Sequence, residues 1–108
     1  EATFTAQEVT YSRGTASGEP VRHLAARYAA KEATVKALEA ACAQVNVRIP
    51  SLSLREIEVE PDPVGRPILR LHGAAALLAE RAGADRAWIS LTHEGASAAA
   101  MVILERLA

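Results

Sequence analysis

Lys31, Glu32 and Lys36 stand among small residues, and Tyr28 and Lys36 lie one helical turn to either side of Glu32. That spacing puts a carboxylate and an ammonium along one helix edge shared with Ala25 and Ala29, where the small neighbours leave room for a ligand. The plainer alternative is a solvated pair, since glutamate and lysine four apart in this order are common and worth only about 0.3–0.5 kcal/mol. A second constellation, Ser90, Thr92 and His93, closes an apolar run and is followed by Glu94 and Gly95. A histidine at such a corner can donate to a phosphate, and the hydroxyls and backbone amides beside it can hold the rest of a nucleotide. Here the alternative is a hairpin corner that is polar only because it faces water. Gly65-Arg66-Pro67 is ordinary turn chemistry that exposes a guanidinium. Trp88 reads as core, and His23 and His72 as surface or packing residues, because neither has a partner at metal-ligand spacing. No serine lies in a nucleophile-elbow pattern, no glycine-rich phosphate loop precedes a helix, and no cysteine–histidine set could hold zinc. These absences argue against a serine hydrolase, a nucleoside triphosphatase and a zinc protein.

The elements that must position these residues follow from periodicity. Phe4, Thr5 and Glu8 form a hydrophobic residue, N-cap and capping-box glutamate, predicting a short helix from Ala6 to Arg13 that breaks over Gly14 to Gly18. Pro20 suits the first turn of a long helix reaching Ala43, with an apolar seam through Val21, Leu24, Tyr28, Val35, Leu38 and Cys42. Val45 to Ser53 carries no regular pattern. Leu54 to Glu60 alternates as a strand, with Ile57 and Val59 inward and Glu56, Glu58 and Glu60 outward. Pro61, Pro63, Gly65 and Pro67 turn it into a second strand, Ile68 to Leu71. A helix from Ala74 to Ala82 stops at Gly83, and strands Ala87 to Thr92 and Ala98 to Leu104 form a hairpin joined through His93, Glu94 and Gly95. Helices first and antiparallel strands later predict an α+β fold.

With 108 residues, half of them hydrophobic, the chain suits one domain with one core. A formal net charge of −1 with intermixed signs excludes the broad positive field of a nucleic-acid binder. The single Cys42 allows no internal disulfide and points to the cytoplasm, and no apolar run reaches the roughly 20 residues that would cross a membrane. The many alanines read as a bias towards helix.

In order and spacing, these signals resemble one family. Leu24-Ala25-Ala26-Arg27-Tyr28-Ala29-Ala30-Lys31-Glu32-Ala33-Thr34-Val35-Lys36-Ala37 is similar to the hallmark helix of the acyl-carrier-protein synthases, which are phosphopantetheinyl transferases; their actinobacterial members look closest. Ile57-Glu58-Val59, Gly65-Arg66-Pro67 and Ile89-Ser90-Leu91-Thr92-His93-Glu94 resemble its later landmarks. The resemblance implies a long helix packed on an antiparallel sheet. It also implies an enzyme that moves the 4′-phosphopantetheine of coenzyme A onto a serine of an acyl carrier protein, with Mg²⁺ as cofactor. Glu32 would be the acidic metal ligand, and Lys36 would sit near the pyrophosphate and stabilise charge. Arg27 and Lys31 would belong to the coenzyme A cleft, with Arg66 close to the nucleotide and Ser90, Thr92 and His93 around the adenosine 3′-phosphate. Many members are homotrimers with the cleft between subunits.

The chain departs from the family pattern in two places. It opens at the Phe4, Thr5, Glu8 stretch, so about thirty residues of the family's N-terminus are not in this sequence, including a Gly-x-Asp strand that bears a second metal ligand. Glu39 to Ser51 lacks the family's Gly-Thr-Gly-x-Gly stretch. The competing expectation is a non-catalytic coenzyme A-binding or interaction module, a fragment or domain of a larger fatty acid or polyketide synthase.

Overall fold

The computed structural model describes residues 3–14 and 20–107. Its helices are α1 (Ala6–Gly14), α2 (Pro20–Gln44) and α3 (Gly73–Ala82), and its strands β1 (Ile57–Pro61), β2 (Pro67–Leu71), β3 (Arg86–Glu94) and β4 (Ser97–Glu105). Both strand pairs are antiparallel, β1 with β2 and β3 with β4. The fold is therefore α+β, with α2, about 37 Å long at 1.5 Å per residue, laid along β3 and β4 and flanked by the other two helices.

The α1 capping box forms as its sequence dictates. The Thr5 hydroxyl accepts from the Glu8 amide at 3.1 Å, and the Glu8 carboxylate accepts from the Thr5 amide at 2.9 Å. The break after Gly14 and the Val21 side chain lie outside what is described. At its other end, α3 stops at Gly83, whose φ of 76° is left-handed and whose amide reaches back to the carbonyls of Ala79 and Glu80.

The buried stripe of α2 runs through Ala26, Ala30, Thr34, Leu38 and Cys42, every fourth residue. Tyr28, placed on the seam by periodicity, is 45% exposed instead. The stripe is set by what lies beneath it. The helix packs on β4, whose half-buried positions Ala98 and Ala100 are small like the buried Ala26 and Ala30 of the stripe. The alanine bias thus serves close packing as well as helix propensity. Towards the C-terminal end of α2, Leu38 packs with Ile57, Ala75 and Ala79 in the main core, covered by Val35, Ile49, Leu52 and Leu54.

Several boundaries and faces differ from the sequence expectation. Leu54–Glu56 is a 3₁₀ turn capped by the Ser53 hydroxyl, and the strand begins only at Ile57. Glu58 is not solvated but 5% exposed, because it accepts a 2.6 Å hydrogen bond from the Thr5 hydroxyl and contacts the His72 ring at 2.9 Å. His93 and Glu94 belong to β3, and the hairpin turns at Gly95 and Ala96. Trp88 is not core: at 52% exposed it lies on the outer face of the hairpin, across from Ile103.

Candidate functional site

A groove of about 540 Å³ opens where α1, α2, the β1–β2 turn and β3 converge. From the helices it receives Tyr11, His23, Ala26 and Arg27. The turn supplies Asp62, Gly65 and Arg66, and β3 supplies Ile89, Ser90, Leu91 and His93. Four residues singled out from the sequence, Arg27, Arg66, Ser90 and His93, are thus brought together from segments far apart in the chain.

Arg27, Arg66 and His93 are placed by identifiable local physics, whereas Ser90 is exposed and shares the strand parity of Trp88. Strand alternation puts His93 on the same side of β3 as the half-buried Ile89 and Leu91, the side facing α2. Arg66 sits in a turn organised by Asp62, whose carboxylate accepts from the amides of Val64 at 2.9 Å and Arg66 at 2.8 Å and from Arg66 Nε at 2.7 Å. Gly65 makes the turn possible with a φ of 90°. The guanidinium is otherwise open to solvent, its side chain 77% exposed. Burial on its own would raise the Asp62 pKa, but the hydrogen bonds from Arg66 and Val64 and the Arg66 charge outweigh it and hold the pKa below 3.8. A folded pKa below the unfolded one means the contribution to stability is complete above the ordinary value and is lost as pH falls through the lowered one. We therefore expect a carboxyl-detected NMR titration of Asp62 to give a midpoint below 3.8. A midpoint at or above that value would mean that Asp62 does not hold the turn in solution.

Arg27 is 5% exposed and lies with its guanidinium 4.8 Å from the centroid of the Tyr11 ring. Its Nη1 donates to the His23 carbonyl at 3.4 Å, and its Nε has no hydrogen-bond partner among the described residues. Desolvation lowers its pKa, opposed by electrostatic interaction with Tyr11 and with Glu8 and by a hydrogen bond with Tyr11. The result is a buried cation on the groove wall.

Lys31, which the resemblance puts in the coenzyme A cleft, is placed elsewhere. It is 0% exposed, and its ammonium pairs with Glu8 at 2.9 Å and donates to the carbonyls of Leu54, at 2.8 Å, and Ile57. The other Glu8 oxygen accepts from the Val59 amide at 2.8 Å. Burial lowers the Lys31 pKa, and Glu8, by hydrogen bond and charge, opposes that shift most strongly. The reason for the discrepancy is the partner: Glu8 lies on another helix and offers a buried carboxylate that local spacing cannot show. Lys31 therefore ties α1, α2 and β1 together beneath the groove.

Glu32 and Lys36 are exposed on α2 and do not line this groove within one chain. The Glu32 carboxylate hydrogen-bonds Tyr28, raising the phenol's pKa by that bond and by its charge. Thr92 is exposed, with the strand parity of Trp88 rather than of His93. Among the described residues no group of three His, Cys, Asp or Glu side chains could hold a metal ion alone. A single exposed carboxylate on a rigid helix does fit Mg²⁺, which takes one or two carboxylates together with phosphate oxygens and water.

Sequence reasoning gave no role to Tyr11 or Asp62, and it read His23 as a surface or packing residue. The Asp62-x-x-x-Arg66 spacing across a glycine turn was the signal available for one of them.

The family model of the 4′-phosphopantetheinyl transferase superfamily matches residues 1–101. A holo-[acyl-carrier-protein] synthase of Salinispora arenicola is 46% identical over 96 residues, covering 87% of this chain and 72% of that protein. One of Nocardia farcinica is 45% identical over 104 residues, covering 94% of this chain and 68% of that protein. Among solved structures, the Chronobacterium ammoniagenes ACPS-CoA complex superposes with a TM-score of 0.77 at 31% identity, covering 98% of this chain and 81% of that chain.

Proposed function

We infer that the chain, which belongs to the 4′-phosphopantetheinyl transferase superfamily, transfers the 4′-phosphopantetheine group of coenzyme A to a serine of an apo-acyl carrier protein. The serine oxygen bonds to the phosphorus of the β-phosphate. The bond from that phosphorus to the bridging oxygen breaks, the serine proton passes to solvent water, and adenosine 3′,5′-bisphosphate leaves with the electron pair. The observation that carries this reading is the convergence of Arg27, Arg66, Ser90 and His93 on one groove.

In that groove the two guanidiniums supply positive charge and, with the His93 ring, hydrogen-bond donors for the phosphates of the nucleotide. Half-buried Ile89 and Leu91 give an apolar wall on which a base can lie while keeping water out. Lys36 is a further cation for charge developing as the pyrophosphate opens. Mg²⁺, when bound, would neutralise charge on the bridging and phosphate oxygens, and Glu32 is the residue that would hold it.

The working assembly is a homotrimer in which neighbouring copies complete the cleft and bring Glu32 and Lys36 to it. In support, one face of the β3–β4 hairpin leaves Trp88 52%, Met101 64% and Ile103 51% exposed in the single chain, a contiguous apolar patch of the kind that marks an interface. The protein serves fatty acid biosynthesis in the cytoplasm, a compartment that suits its lone buried thiol, Cys42.

Incubating apo-acyl carrier protein with coenzyme A, Mg²⁺ and the chain tests the reaction directly. The expected result is a mass gain of one phosphopantetheine, mapped to a serine of the carrier. Tight binding of coenzyme A without any mass gain would identify a non-catalytic module instead.

A further inference from the structure

We propose that Tyr11 is a positioning residue that holds the Arg27 guanidinium ready for an anion, an inference that rests on reading the groove as the coenzyme A site. Buried arginines normally face carboxylates, which satisfy their donors and cancel their charge. Among the described residues no ion pair engages Arg27, although the Glu8 charge acts on it; Tyr11 lies against it, with the ring centroid 4.8 Å from the guanidinium and a side-chain hydrogen bond beside it. A ring face attracts a guanidinium through its quadrupole and carries no net charge, so the cation keeps its field and the donors not engaged by the His23 carbonyl and Tyr11, Nε among them, for phosphate. The orphaned Nε is the visible sign of that reserve.

Tyr11 is itself well fixed. Its ring meets the His23 ring edge-on, with centroids 6.1 Å apart and planes at 83°, and its helix is anchored by the buried Glu8–Lys31 pair one turn earlier. The ring, the histidine and the guanidinium all line the groove. Tyr11 acts through Arg27, so its loss weakens coenzyme A binding and leaves the chemical step alone.

Calorimetric titration of coenzyme A into the wild-type chain, Tyr11→Phe, Tyr11→Leu, Arg27→Gln and the Tyr11→Leu/Arg27→Gln double variant tests this, with KM and kcat measured beside it. Tyr11→Leu should weaken binding about tenfold and raise KM for coenzyme A with kcat unchanged, while Tyr11→Phe, which keeps the ring face, stays within about threefold of wild type. On the Arg27→Gln background the leucine change should cost less than about twofold, because the group it acts through is gone. Tyr11→Met, which fills the space with a flexible apolar chain, gives the same reading if the leucine variant does not fold. Additive losses in the double variant, or wild-type affinity in Tyr11→Leu when Arg27→Gln is weakened, would overturn the role of Tyr11 alone. Wild-type affinity in Arg27→Gln would overturn the groove assignment, and the role of Tyr11 with it.

Discussion

Glu32→Gln should lower the rate of phosphopantetheine transfer by about 10³-fold or more while leaving the fold unchanged. The substitution keeps the size of the side chain and its ability to accept from Tyr28, and removes only the charge. Because Glu32 is exposed and forms no ion pair with any described residue, its contribution to stability should be within about 0.5 kcal/mol of zero. Its contribution to the reaction is different in kind. A loss of 10³ corresponds to about 4 kcal/mol of transition-state stabilisation, the scale associated with charges placed where negative charge develops in the transition state. The loss should appear in kcat. Binding of coenzyme A measured without Mg²⁺ should change little, because on the proposed function the carboxylate acts through the metal. Unfolding curves and turnover measured on the same sample separate the two effects. Wild-type turnover by Glu32→Gln would remove it from the site.

Lys31→Met should do the opposite, with a large effect on stability that reaches function only through the fold. The lysine and its partner Glu8 are both 0% exposed at the side chain, and the ammonium also serves two backbone carbonyls, Leu54 in the 3₁₀ turn and Ile57 at the start of β1. Removing one partner of such a pair leaves the other charge buried without compensation, which costs about 3–5 kcal/mol. For a domain of this size that is a large part of a total stability of about 5–15 kcal/mol. The double variant Glu8→Gln/Lys31→Met should lose less than the two single variants summed, since neither charge remains, and denaturant unfolding of all four proteins measures the coupling. A cost below about 1 kcal/mol for Lys31→Met would show that the pair is not the clamp described here.

The sequence made local features legible and left their partners hidden. The capping box of Thr5 and Glu8, the extent of α2, the stop at Gly83 and both hairpins follow from interactions within a few residues, and the structure contains them. The faces of these elements were harder. Tyr28 was assigned inward and Glu58 outward on periodicity, yet the buried stripe of α2 runs through Ala26 and Ala30 instead, and Thr5 and His72 reach Glu58 from distant segments. Trp88 was assigned to the core because a large ring usually is, whereas its strand turns it outward with Met101 and Ile103.

The same division holds at the site. Arg27, Arg66, Ser90 and His93 were found by motif, and the structure places all four on one groove. Lys31 belongs to the same motif but is spent on Glu8, a contact spanning 23 positions that only tertiary packing creates. Tyr11 could not be found from the sequence at all. An aromatic one turn after a capping-box glutamate has no local significance until Arg27 is laid over it.

On the proposed function, the groove between α1, α2 and β3 holds the nucleotide end of coenzyme A. Titrating isotopically labelled chain with coenzyme A and following the amide and arginine side-chain resonances tests this most directly. Saturable shifts should concentrate at Arg27, the Asp62–Arg66 turn and the Ser90–His93 end of β3. Shifts confined to the exposed face of α3 around Leu77, or none at all, would contradict it.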